Sequence, residues 1–307
     1  METIVELKNV TKVIKGRTII DNISFHVNKG EVFGFLGPNG AGKTTTIRMM
    51  VGLMGITSGD ITIAGASIKT KYVEAVSHIG AIVENPEMYK FMTGYDNLVH
   101  FARMFKGISK AKINEVVERV GLTKRIDDKV KTYSLGMRQR LGLAQCLLHD
   151  PEVLILDEPT NGLDPAGIRE IRDYLRLLAR EKNMAVIVSS HLLSEMEMMC
   201  DRIGIIQNGC LVDVQLVEEF VHGEASVYEF EVIPSEKAIS VLKANYPDRR
   251  ITTSRKGIMA QMNKDEIPEL VKTLVEANIR IFAIKEETKT LEDRFLEVTA
   301  DKGEENS

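Results

Sequence analysis

Apolar and polar residues alternate from Ile4 to Val10 and again from Ile19 to Val27, the period of strands with one buried face. Lys29-Gly30-Glu31 then turns the chain into Val32–Leu36, a short continuous apolar run. Glycines follow at once, and the period changes to that of a helix over Thr44–Met54, so the predicted unit is strand, glycine-rich loop, helix. Ile61–Ala64 and Ile79–Val83 read as further short strands. From Asn97 to Leu148 the repeat is 3.6, with Val116, Val117 and Val120 and later Leu141, Leu143, Ala144 and Leu147 recurring on one face. A helical block therefore interrupts two strand-forming halves. Val153–Leu156 and Ala185–Val188 are unbroken apolar runs, as strands covered on both faces of a parallel sheet require. A helix over Pro165–Lys182 separates them, and Arg202–Gln207 with Gly209–Val214 forms a closing hairpin around Asn208-Gly209.

Beyond about Phe220 the pattern changes. Val227–Ile233, Ala238–Lys243, Arg249–Thr253, Ile258–Met262, Ile267–Ala277 and Ile281–Lys285 read in order as βαββαβ, the split pattern of a ferredoxin-like unit. The expected organisation is a first domain over 1–220 with its helical block at about 86–150, and a small α+β domain over 221–300. A last helix is predicted over Leu291–Thr299, and a disordered tail over 301–307.

Composition narrows the class without choosing a function. The chain has 307 residues, 44% of them hydrophobic and 27% charged, the usual make-up of a globular protein with a core. A net charge of −4 argues against a broad nucleic-acid-binding face, so no direct nucleic-acid binding is expected. The start, Met1-Glu2-Thr3, lacks the basic residues and apolar run of a signal peptide. Charge-free stretches such as Asn183–Ser194 are short and contain Asn and Ser. A membrane-crossing helix needs roughly 20 apolar residues, so action at a membrane would require a partner. Cys146, Cys200 and Cys210 have no paired-ligand spacing and read as reduced thiols of a cytoplasmic protein.

The glycine-rich loop, Gly37-Pro38-Asn39-Gly40-Ala41-Gly42-Lys43-Thr44, fits GxxxxGK followed by Ser or Thr at every fixed position. Such glycines let backbone N–H groups turn inward around phosphate oxygens with no side chain in the way. Lys43 adds a cation to the same oxygens, the following helix its positive N-terminus, and the Thr44 hydroxyl a Mg2+ ligand. Thr45 completes the candidate ATP-binding set.

Val153–Leu156 runs into Asp157 and Glu158. In a parallel sheet, ligands gather at the carboxyl ends of the strands, where the glycine loop also lies. Asp157 is placed to hold Mg2+ or its water, and Glu158 to accept a proton from an attacking water. Upstream, Tyr133-Ser134-Leu135-Gly136-Met137-Arg138-Gln139-Arg140 puts a Ser hydroxyl and backbone amides at a helix start, a ready anion site. Ser134 alone would equally read as a helix N-cap.

These residues resemble, in order and spacing, the motifs of ABC ATPases. Ser134 and Gly136 match the LSGGQ signature, while Tyr133, Leu135 and Met137 replace its first, third and fifth residues. Asn161-Gly162-Leu163-Asp164 and Ser189-Ser190-His191 follow in the family's order, and the likeness covers residues 1–220. The resemblance implies an α/β P-loop NTPase with a RecA-like sheet core, an inserted helical subdomain and the small C-terminal α+β domain. It implies a head-to-tail homodimer in which each ATP lies between one subunit's glycine loop and the other's Ser134–Gly136. It further implies that His191 contacts the γ-phosphate, that Asp164 couples the two sites, and that a separate transmembrane permease holds the subunit at the inner face of the cell membrane.

Two residues depart from the family's pattern. Ile14 stands where an aromatic ring usually stacks on adenine, and stacking is worth roughly 1 kcal/mol. Glu84 stands where the loop after Ile79–Val83 usually begins with Gln. A carboxylate there still ligands Mg2+, but adds negative charge and offers no amide donor. Glu84, the Ser-Leu-Gly-Met signature and Leu291-Glu292-Asp293-Arg294-Phe295-Leu296 together resemble the ATPases of bacitracin-export and lantibiotic-immunity transporters. The resulting expectation is an export motor whose permease docks around Glu84–Leu98, near Tyr89-Lys90-Phe91-Met92. Two alternatives stay open: an importer motor with a regulatory C-terminal domain, and a soluble ABC ATPase acting on DNA or ribosomes. A GTPase is poorly supported, since Asn263-Lys264-Asp265-Glu266 ends on Glu where the guanine motif ends on Asp.

Overall fold

In the computed structural model, which describes residues 2–222, 226–287 and Leu291, the first alternating stretch folds as a long hairpin of β1 (Thr3–Ile14) and β2 (Arg17–Asn28). Its alternate residues Val5, Leu7, Val10, Ile20, Ile23 and Val27 are buried. β3 (Val32–Leu36), buried at every position, feeds the glycine loop and α1 (Lys43–Met50). The sequence suggested a helix as far as Met54. It stops earlier because Gly52 takes φ 72 and Tyr72 packs against it, so close that a Cβ there would sit 2.3 Å from the Tyr72 ring.

β4 (Ser58–Ile63) and the two-residue β5 (Ala66–Ser67) extend the hairpin into a sheet of order β2-β1-β4-β5. α2 (Tyr72–Ser77) and β6 (Ile79–Ile82) lead into the helical block of α3 (Gly94–Ala102), α4 (Lys110–Arg119) and α5 (Leu135–Cys146). These three helices begin on Thr93, Ser109 and Ser134, whose side chains each accept a first-turn amide hydrogen. The chain returns through β7 (Val153–Asp157), α6 (Pro165–Lys182), β8 (Ala185–Ser190), α7 (Leu193–Met199), β9 (Arg202–Gln207) and β10 (Cys210–Leu216).

The central sheet has the order β10-β9-β3-β8-β7-β6, parallel except for β10. β7 and β8 are wholly buried, which explains why their sequences show no alternation. Register fixes the next step: Leu36 pairs with Ser190 and Asp157 with Ser189. The carboxyl ends of β3, β8 and β7 therefore open on one edge, at the point where the strand order jumps from β3 to β8. That is where α/β sheets bind ligands.

The chain divides into two compact units, Met1–Leu216 and Val217–Ser307. The second begins with α8 (Val217–His222) and continues with β11 (Ser226–Ile233), α9 (Ser235–Asn245), β12 (Ile251–Thr253), β13 (Gly257–Met262), α10 (Ile267–Glu276) and β14 (Arg280–Glu287). Its antiparallel sheet has the order β12-β13-β11-β14. Tyr228, Phe230 and Val232 of β11 pack with Ala238, Leu242, Leu270 and Leu274 of the two longer helices. Asn263 and Glu266, from the guanine-like stretch, form a reciprocal capping box ahead of α10, so their side chains serve the backbone. The helix over Leu291–Thr299, the stretch from Leu291 to Leu296 and the tail 301–307 lie outside the described residues, apart from Leu291, which is buried. Among the described residues no helix is long and apolar enough to cross a membrane.

Candidate functional site

The glycine loop owes its shape to two close approaches. A Cβ on Gly42, at φ 113, would lie 2.4 Å from Ile20 Cδ1, and one on Gly37 would lie 2.3 Å from the Ile206 carbonyl oxygen. The loop is thus pressed against β2 and β9 at its ends, while Gly40, at φ 81, faces open space. Pro38, Asn39 and Gly40 are exposed; Ala41 is buried, and its carbonyl accepts from Gly209 N (3.0 Å). Ala41 N donates to Pro38 O (3.1 Å), closing a tight turn.

α1 starts on Gly42 and has no side-chain cap. The first amides of a helix have no intrahelical acceptor, so those of Lys43, Thr44 and Thr45 stand ready for an anion. Lys43 is only 6% exposed. Its Nζ donates to Gly37 O (2.7 Å), reaches Pro38 O (3.4 Å) and lies 3.8 Å from Glu158 Oε1. Burial lowers its pKa, against the opposing pull of the Glu158 and Asp157 carboxylates. A buried ammonium spanning loop carbonyls and a carboxylate is held where phosphate oxygens would be its better partners.

Asp157, 3% exposed, ends β7 and accepts from Ser189 Oγ at 2.5 Å. Ser189 Oγ in turn accepts from Glu158 N (3.0 Å), and its carbonyl lies 3.2 Å from the same amide. One side chain thereby sets both acidic residues. In the sequence Ser189 stands only as part of a motif; the signal there is a hydroxyl ending a buried strand. Glu158 has left-handed backbone, φ 51, and its Oε2 lies 2.6 Å from His191 Nδ1. An ionised carboxylate only accepts, so this contact puts a ring hydrogen on Nδ1 and leaves Nε2 for a second partner. Lys43, Asp157, Glu158 and His191 are thus gathered at one end of the sheet.

Other predicted residues stand apart from this group. Ser134 caps α5, accepting from Met137 N (3.2 Å), and Asp164 caps α6, accepting from Gly167 N (2.9 Å). Both are exposed. Capping uses only acceptor capacity, so the Ser134 O–H remains a donor. Gly136 has free space: a Cβ there would meet only Leu163, at an ordinary 3.7 Å. Ile14 ends β1 and is exposed. Glu84 has φ 70, and its carboxylate is held by Arg48 of α1. The sequence offered no sign of that partner.

The uncapped helix start, the glycine cradle and the buried Lys43 fit a triphosphate. Thr44 and Asp157 supply oxygens of the type that suit Mg2+, which takes few protein ligands beside phosphate oxygens. Among the described residues no three His, Cys, Asp or Glu side chains converge as a metal cage, and a site shared with phosphate needs none.

A family model described as ABC transporter matches residues 20–161. The uncharacterized ABC transporter ATP-binding protein YhcH of Bacillus subtilis (strain 168) is 63% identical over 305 residues, covering 99% of each chain. The bacitracin transport ATP-binding protein BcrA of Bacillus licheniformis is 38% identical over 299 residues, covering 97% of this chain and 98% of that one. Among solved structures, a dimeric post-hydrolysis state of the ATP-binding cassette MJ0796 bound to ADP and Pi has a TM-score of 0.62 at 23% identity, over 69% of this chain and 98% of the other.

Proposed function

This chain belongs to the ATP-binding proteins of ABC transporters, and we propose that it drives an exporter of peptide antibiotics of the bacitracin and lantibiotic kind. Proteins of this family are ATPases whose hydrolysis is coupled to transport. The export reading draws on the likeness to BcrA along nearly the full length of both chains. The ATPase chemistry rests on one observation above the others: at a helix start with no side-chain cap, the buried Lys43 Nζ lies 3.8 Å from the Glu158 carboxylate.

In the proposed mechanism, the amides of Gly40 and of Gly42 to Thr45, with the Lys43 ammonium, bind the β- and γ-phosphates. Thr44 and Asp157, together with Glu84 from the loop after β6, would hold Mg2+, which when bound supplies charge neutralisation across the phosphate oxygens. Glu158 accepts the proton of the attacking water. His191, hydrogen-bonded to Glu158, orients that carboxylate and offers Nε2 toward the terminal phosphate. Ser134 O–H and the amides near Gly136 of a second copy complete the site, with Asp164 linking the two sites. The permease docks on the helical block, where Tyr89, Phe91 and Met104 are exposed, and anchors the subunit at the inner face of the membrane.

Glu158→Gln keeps the size and hydrogen-bonding reach of the side chain but removes its basicity. Its ATP turnover should fall by about 100- to 10,000-fold while Mg·ATP binding persists. Hydrolysis at the parent rate in a phosphate-release assay would remove Glu158 from its role.

A further inference from the structure

Glu84 leaves the sheet beside the acidic strand, because Ile82 of β6 pairs with Leu156 of β7. Its backbone is left-handed, at φ 70, a conformation that strains an ordinary side chain. Half of the non-glycine residues in that region among the described residues are asparagines, such as Asn9, Asn22, Asn183 and Asn208, which tolerate it; the glutamates there are Glu84 and Glu158.

That carboxylate is paired with Arg48, in the last turn of α1. The two side chains are 39% and 63% exposed, and pairs this open contribute little to stability. The pair has a different consequence. Arg48 rides on the helix whose N-terminus forms the phosphate site, and it cancels the charge that a carboxylate, unlike an amide, brings to the loop beside the acidic strand.

We propose that Arg48 is the positioning residue for Glu84, neutralising its carboxylate beside α1 and competing with Mg2+ for it. The proposal rests on the reading of Gly37–Thr45 as the Mg·ATP site. When Mg·ATP binds, Glu84 exchanges the guanidinium for the metal or its water, so metal arrival is felt on α1 and in the loop that follows β6. The exchange is ionic and transfers no electrons or protons.

The test is equilibrium binding of a fluorescent ATP analogue, with excess chelator and across a Mg2+ titration. The proteins compared are the parent, Arg48→Gln, Arg48→Lys, Glu84→Gln and the Arg48→Gln/Glu84→Gln pair. Arg48→Gln should weaken chelator-state binding about 2- to 5-fold, and lower the Mg2+ concentration needed for half-maximal enhancement by a similar factor. Arg48→Lys should restore both values, and in the Glu84→Gln background the Arg48→Gln change should do nothing further. Equal shifts with and without Glu84, or no shift at all, would overturn the assignment while leaving the nucleotide site intact. If the parent binds no analogue under any condition, the nucleotide-site reading itself fails, and the proposal with it.

Discussion

Two sets of motif residues lie in one unit, and the structure treats them differently. At the phosphate loop, Lys43 and Asp157 are buried and hydrogen-bonded, and α1 lacks a side-chain cap. At the signature and the start of α6, Ser134 and Asp164 are exposed and cap their own helices. Gly136 has room for a methyl group that the sequence does not use. The first set is a nearly finished anion site within a single chain. The second is satisfied as structure yet over-specified for it, since Ala in place of Gly136 would suit a helix better. In the proposed reading, the exposed set awaits a surface from a second copy.

Variants can separate the two sets, beginning with the largest effect. Lys43→Ala should weaken nucleotide binding to the isolated chain roughly 10- to 100-fold, the scale of lost charge-assisted hydrogen bonds. Titration with a fluorescent analogue checks it, and retained affinity would break the claim that the phosphate loop is complete alone. Gly136→Ala tests the other set. It should raise unfolding stability by up to about 1 kcal/mol in a urea titration while lowering ATP turnover, a split that a purely structural Gly136 would not give.

A smaller effect concerns the joint between the helical block and the sheet. His149 stacks on Phe105 with centroids 4.4 Å apart, and its Nε2 lies 3.0 Å from Ile79 O. Burial lowers its pKa from the ordinary 6.5, the hydrogen bond to Ile79 opposing. The unfolded chain then takes up the proton first, so the His149 contribution is full above pH 6.5 and lost as pH falls through the lowered value. Urea titrations across that interval should show the decline, and His149→Gln should flatten it.

Much of the site was legible because its demands are local. A helix that must bind phosphate needs glycines and a lysine at fixed spacing, and a buried parallel strand needs an unbroken apolar run; both are visible in Val32–Thr44 and Val153–Glu158. What was not legible joins residues far apart in the chain. Ser189 sets both Asp157 and the Glu158 amide, a contact made by the register of β7 with β8 and by no local pattern. Arg48 reads as an ordinary solvent-facing helix residue until β6 delivers Glu84 to it. The early end of α1 depends on Tyr72 reaching Gly52, and the left-handed backbone of Glu84 and Glu158 contradicts residue preference altogether.

The claim that two copies jointly enclose the nucleotide meets its most direct test in the solution mass of Glu158→Gln, measured by light scattering with and without Mg·ATP. The account predicts a twofold rise in mass when Mg·ATP is added, abolished when Ser134→Arg is introduced into the same chain. A mass that ignores Mg·ATP despite saturated binding, or a rise that survives Ser134→Arg, would contradict it.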